Sequence, residues 1–238
     1  MTLQASEAAK SPPRLEVTTC WDFPFQRIEG IPAGDASFNG CTPALAVWNV
    51  ISRYTRPGDL VVDPMAGSGT TLDVARMSGR RVLAFDLHPT RPEIIRNDAR
   101  HLPLEDNSVN LFFVDSPYSD NIRYSDDPRC LGRVPASSEA FYEGLVQVAH
   151  ECRRALRPSG VLAWVISDEY RQHKFTPVGF RFFARLSDLF EPLDVICLLR
   201  RNDRSLTPIW EHRALKRNFF LRGFKYLFLL RKPLAVRT

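Results

Sequence analysis

Four aspartates carry the chemical interest of this 238-residue chain. Asp63, Asp86, Asp98 and Asp115 close the short runs DLVVD, RVLAFD, IIRND and NLFFVD. A carboxylate at the end of a buried strand can accept hydrogen bonds from whatever binds there. After Asp115 the chain continues Ser116-Pro117-Tyr118, so the acid is followed by a turn that proline stiffens and by an aromatic ring. After Asp63 it continues PMAGSGTT. There Gly67 and Gly69 let backbone approach a ligand closely, and the helix start that follows favours an anion.

Three ligand classes suit such a glycine turn. A phosphate-binding loop needs GxxxxGK[ST], and no lysine follows Gly69, which sets it aside. A dinucleotide fold wants GxGxxG, and Leu72 occupies the third glycine position. The third class is S-adenosylmethionine, whose methionine carboxylate can sit on the helix terminus. Asp86 lies where a doubly wound sheet faces a ribose, with both hydroxyls in reach of one carboxylate. Asp98 is placed to accept from an adenine amino group. The acids fall at successive strand ends, where ligands of such sheets bind.

The elements that position these residues follow from periodicity and punctuation. TPALAVWNVISRY reads as a helix, with Thr42 as N-cap, Pro43 at the first helical position and Pro57-Gly58 as the stop. DLVVD (59–63), RVLAFD (81–86), IIRND (94–98), NLFFVD (110–115), VLAWVIS (161–167), LDVICLL (193–199) and FKYLFLLR (224–231) are the expected strands. Residues 70–79, 138–156 and 177–190 are the expected helices. Strands alternating with helices, several of them apolar on both faces, predict a mainly parallel sheet covered on both sides. The last two strands have no helix between them. They are expected to form a hairpin joined by a basic loop, with an antiparallel strand at the sheet edge.

Composition is that of a globular protein, 44% hydrophobic and 25% charged. No apolar run approaches the roughly 18 residues of a membrane span. The N-terminal stretch lacks the apolar region of a signal peptide. Five scattered cysteines without a CxxC pair suggest neither zinc nor a disulfide framework, and a reduced cytoplasmic setting follows. The net charge of +5 is uneven: residues 200–223 hold seven Lys/Arg and two Asp/Glu, 224–238 hold four Lys/Arg and no acid. That C-terminal charge is either a solvated face or a surface for phosphates.

Five stretches in order resemble one family. DSPY resembles the (D/N/S)PP(Y/F) motif of the S-adenosylmethionine-dependent amino-methyltransferases that act on nucleic acid. VVDPMAGSGTTL resembles their DPFxGSGTT motif. CTPALAVWNVISRYTRPGDLVVDP, NDARHLPLEDNSVNLFFVDSPY and ALRPSGVLAWV are similar to the segments around them. The resemblance covers about 36–232. It implies an α/β fold: a single Rossmann-like class I methyltransferase domain over 20–238, behind a flexible leader at 1–19. Its sheet is mainly parallel and seven-stranded, with the antiparallel C-terminal hairpin strand. It implies S-adenosyl-L-methionine as cofactor, held by Thr42, Asp63, Met65, Gly67, Gly69, Thr70, Thr71, Asp86, Asp98 and Ala99, and no metal. The implied catalytic residues are Asp115, Ser116, Pro117 and Tyr118. The Asp115 carboxylate and the Ser116 carbonyl would accept the two hydrogens of an exocyclic amino group, and Tyr118 would stack on a base turned out of its helix. Ser116 stands where the family usually has proline, which keeps the acceptor and loosens the turn. An initial aspartate favours N6 of adenine over N4 of cytosine.

Nothing in the chain is large enough for a separate recognition domain. Residues 119–138 and the basic, aromatic segment 200–223, with Trp210, Phe219 and Phe220, are the two stretches suited to DNA or RNA. The expected partner is nucleic acid, DNA ahead of RNA, through 200–223, with no membrane and with a homodimer left open. Two alternatives stand beside it: an RNA amino-methyltransferase acting on guanine N2 or a similar group, and a catalytically silent nucleic-acid-binding partner.

Overall fold

The computed structural model describes residues 13–28, 31–35, 37, 38, 40–200 and 207–234. In chain order the strands are β1 (Cys20–Trp21), β2 (Arg27–Ile28), β3 (Ile31–Pro32), β4 (Leu60–Asp63), β5 (Arg81–Asp86), β6 (Ile95–Arg96), β7 (Val109–Asp115), β8 (Leu156–Ile166), β9 (Glu169–Arg171), β10 (Lys174–Thr176), β11 (Glu191–Leu199) and β12 (Phe224–Arg231). The helices are α1 (Ala44–Tyr54), α2 (Thr70–Met77), α3 (Glu139–Ala155), α4 (Val178–Ser187) and α5 (Pro208–Arg217).

Eight strands form one sheet in the order β1-β11-β12-β8-β7-β4-β5-β6. Alternate residues of each central strand feed opposite cores. Val62, Phe112 and Val114 pack with α3 and α4 residues such as Phe141, Leu145 and Phe182. Val61, Leu111 and Phe113 pack with Val47, Val50 and Ile51 of α1 and Val74 and Ala75 of α2. Strands buried on both faces need unbroken apolar runs, which is why NLFFV contains no alternation. Each fully buried Val, Leu or Phe contributes about 1.5–3 kcal/mol. The centre of the sheet is therefore the rigid part, and its strand ends are held accurately.

The expected seven strands are all present, and β1 adds an eighth by pairing in parallel with β11. The C-terminal strand departs from expectation: β12 is not at an edge but lies between β11 and β8, antiparallel to both. Its core, YLFLL, is almost wholly buried, and a strand with two apolar faces loses less in the interior of a sheet than at its rim. The segment expected as a loop between β11 and β12 contains α5. Thr207 precedes Pro208 at the first turn, Glu211 lies in that turn, Lys216 and Arg217 end the helix, and Asn218 closes it at φ 52°. Residues 201–206 of that segment lie outside the described residues, as does 1–12 of the expected leader. The remainder of the leader touches the body: the Glu16 N–H donates to Asn49 Oδ1 at 2.7 Å and Cys197 N–H to the Thr19 carbonyl at 2.7 Å.

Candidate active site

Parallel pairing brings the carboxyl ends of β4, β5 and β7 to one edge, so Asp63, Asp86 and Asp115 converge there. One cavity opens on that edge. Its wall includes Thr42, Asp63, Met65, Gly67, Thr70, Thr71, Asp86, Asp98, Ala99 and the whole run Asp115–Tyr118. Of the fourteen expected site residues only Gly69 is not on this wall. Its φ of 85° shapes the turn, and the Arg91 side chain packs over it: a Cβ there would fall 2.8 Å from Arg91 Nη1.

The glycine turn is tied to β5. The Gly67 N–H donates to Asp86 Oδ2 at 2.9 Å, and the Thr90 hydroxyl donates to the Gly67 carbonyl at 2.6 Å. Gly67 sits at φ 49°, a left-handed conformation that glycine adopts without strain. Asp86 also accepts from the His88 N–H at 2.8 Å. Burial pushes its carboxyl above the usual range, against those two N–H donors. Asp63 is more enclosed. Burial pushes it up to about 7, although the Thr71 side chain and the Met65 N–H both donate to it. Asp98 lies two residues beyond β6. Burial raises its carboxyl, but Arg100 outweighs burial and holds it below the usual range, donating through Nε at 2.9 Å, Nη2 at 2.7 Å and its backbone N–H at 3.0 Å.

Asp115 is engaged on both oxygens. The Thr42 hydroxyl donates to Oδ2 at 2.6 Å, and Lys225 Nζ lies 3.3 Å from each oxygen. Thr42 was expected to cap α1. Instead the helix starts after Pro43, with no side-chain cap, because the hydroxyl is committed to Asp115. Lys225 also donates to the Gly40 carbonyl at 2.8 Å. Sequence reasoning missed this lysine: it sits in the apolar strand FKYLFLLR, and its partner lies 110 residues away.

Ser116 is buried, and its hydroxyl accepts the indole N–H of Trp164 at 2.9 Å. A side-chain hydrogen bond thus anchors the turn at the position where the resemblance places a second proline. Tyr118 is buried in the core beside Leu131 and Val148, with part of its surface on the cavity wall. The stretch 119–138 folds back over the opening. Tyr124, Ser125, Arg129, Cys130 and Leu131 line the cavity from that side, and the Tyr124 ring stacks on Phe38 with centroids 6.2 Å apart. Burial pushes the Tyr124 hydroxyl well above its ordinary value.

Away from the cavity, α5 buries none of its residues. Trp210 and Phe220 are exposed, Arg213 lies 4.9 Å over the Trp210 ring, and Phe219 stacks on Tyr170 with centroids 5.0 Å apart. Among the described residues, no group of three or more His, Cys, Asp or Glu could hold a metal ion, and no helix is long and apolar enough to cross a membrane.

Comparison with known proteins narrows what this arrangement is. Residues 3–97 match the N6_N4_Mtase family model, described as a DNA methylase. The matched stretch is under half of the chain; it contains the glycine turn and Asp86 and ends before Asp115. TrmN from Thermus thermophilus superposes with a TM-score of 0.53 at 17% identity, over 82% of this chain and 50% of TrmN. The [4+2]-cyclase SpnF gives 0.54 at 14% identity, over 85% of this chain and 88% of that one. Geranyl diphosphate methyltransferase in complex with SAM gives 0.51 at 16%, over 80% and 85%. The fold is that of the class I methyltransferases. This chain spans half the length of TrmN. No curated protein matches its sequence. Within the methyltransferase fold, β12 between β11 and β8 is the antiparallel strand, and the cavity lies at the carboxyl ends of the parallel ones.

Proposed function

We propose that the protein is a DNA amino-methyltransferase that moves a methyl group from S-adenosylmethionine to an exocyclic amino nitrogen, N6 of adenine in preference to N4 of cytosine. The observation that carries this reading is one cavity walled on one side by the glycine turn and Asp86 and on the other by Asp115–Tyr118. The match of residues 3–97 to a DNA methylase model supports the choice of DNA.

The donor set fits the cofactor. Asp86 has two N–H donors on a carboxylate with about four acceptor sites, leaving room for two ribose hydroxyls. Asp98, with three contacts from Arg100, keeps about one site for an adenine amino group. When bound, S-adenosylmethionine supplies an electrophilic methyl group, and the bonding pair leaves with sulfur. Asp115 and the Ser116 carbonyl accept hydrogen bonds from the two amino hydrogens of the target. That pulls the nitrogen out of conjugation and turns its lone pair outward. The proton in excess after the N–C bond forms passes to Asp115. The protein contributes positioning and fixed charge.

The exposed Trp210 and Phe220, with Arg213, Lys216 and Arg217, supply a stacking and phosphate-binding face for the DNA. One observation favours a second reading, a silent DNA-binding partner: Lys225 and Thr42 already occupy the Asp115 oxygens. Labelled methyl transfer to duplex DNA, single-stranded DNA and total RNA separates the two. Incorporation into DNA supports catalysis, incorporation into RNA alone overturns the DNA assignment, and none with intact DNA binding identifies a silent partner.

A further inference from the structure

Lys225 is the least expected charged group at the site. Its side chain is 8% exposed, against 24% for that of Asp115. Desolvating an ammonium costs several kcal/mol unless an anion and further acceptors compensate. Among the described residues, Asp115 is the acid with which Lys225 forms an ion pair, and the Gly40 carbonyl takes a further donor. The lysine thereby links β12, the Gly40–Thr42 stretch and the end of β7. It also lines the cavity, so the pair stands where a target amine would arrive.

A count of acceptor sites shows the consequence. A carboxylate offers about four. Thr42 uses one and the two Lys225 contacts use two more, which leaves one. A target amino group can therefore place one hydrogen on Asp115 and must place its other elsewhere, at the Ser116 carbonyl. We propose that Lys225 is a positioning residue for Asp115: its ammonium holds both carboxylate oxygens and leaves a single acceptor direction open to the incoming amine. This deepens the amino-methyltransferase reading and rests on it.

The other titratable groups around Asp115 do not supply this charge. Asp63 on β4, Cys41 beside Thr42, and Tyr124 over the opening are each pushed upward chiefly by burial and further by the Asp115 charge. All three are neutral or anionic, and among the described residues Lys225 is the cation within ion-pair distance of Asp115.

The experiment is single-turnover methyl transfer by the full chain, paired with a cofactor titration and with the carbon-13 chemical shift of the Asp115 carboxyl, assigned by Asp115→Asn. Lys225→Met should slow methyl transfer by about 10²–10³-fold, move the Asp115 carboxyl signal and leave cofactor affinity unchanged. Lys225→Arg should recover most of the rate. If Lys225→Met does not fold, Lys225→Gln is measured in its place. Wild-type turnover in the neutral variant overturns the proposal. Absence of methyl transfer by the wild type overturns the amino-methyltransferase reading instead, while an Asp115 carboxyl signal unmoved by Lys225→Met overturns the role of Lys225.

Discussion

Removing the Ser116 hydroxyl should strand a fully buried indole N–H. Trp164 has no solvent exposure and Ser116 almost none, and their contact is 2.9 Å. Ser116→Ala leaves the backbone alone and deletes the acceptor. A buried donor left without a partner costs about 1–3 kcal/mol. For a chain of this size, about 2 kcal/mol corresponds to a fall in Tm of roughly 4–8 °C. Trp164→Phe removes the donor, at its own packing cost against Phe182, whose ring lies edge-on at 4.8 Å. The double variant cancels that cost in a cycle. Once the indole is gone, losing the hydroxyl should cost little, so the two changes should couple by about 1–3 kcal/mol. Urea unfolding of all four proteins measures this. Additivity within about 0.5 kcal/mol would mean the hydrogen bond does not hold the Asp115–Tyr118 turn, and the account of serine in place of proline would fail.

Asp63 gives a pH prediction. Its folded carboxyl, raised from 3.8 to about 7, binds a proton more tightly than in the unfolded chain. Its share of stability is therefore complete below pH 4 and lost as pH rises to about 7. Asp63→Asn should flatten that part of the stability curve by roughly 4 kcal/mol; denaturant midpoints at pH 4 and pH 8 that keep the wild-type difference would refute it. Replacing Arg213, Lys216 and Arg217 on α5 by glutamine should weaken DNA binding and lower its salt slope by up to about one unit per lost phosphate contact, without altering cofactor affinity. Binding isotherms with an unchanged slope would make the charge of α5 a solvated face.

Much of the site was legible because its residues are local to strand ends and turns. The acids of DLVVD, RVLAFD and NLFFVD mark where strands stop, and parallel pairing alone brings them together. What stayed hidden depends on distance or on a missing signal. Lys225 is one charge in an apolar strand, and only the insertion of β12 between β11 and β8 carries it toward Asp115. Thr42 looks like a helix cap until Asp115 competes for its hydroxyl. The β9–β10 hairpin turns through Gln172 and His173 at φ 51° and 62°, residues that do not announce a left-handed turn as glycine would. Helix α5 buries none of its residues, so no core packing calls for it, although Thr207-Pro208 and Asn218 mark its ends.

The most direct test of the central claim is mass spectrometry of nucleosides from duplex DNA incubated with S-adenosylmethionine and either the wild type or Asp115→Asn. The account predicts N6-methyladenine from the wild type, and a loss on the order of 10²–10³ in rate for the variant with cofactor binding retained. Wild-type levels of methylated base from Asp115→Asn would contradict it.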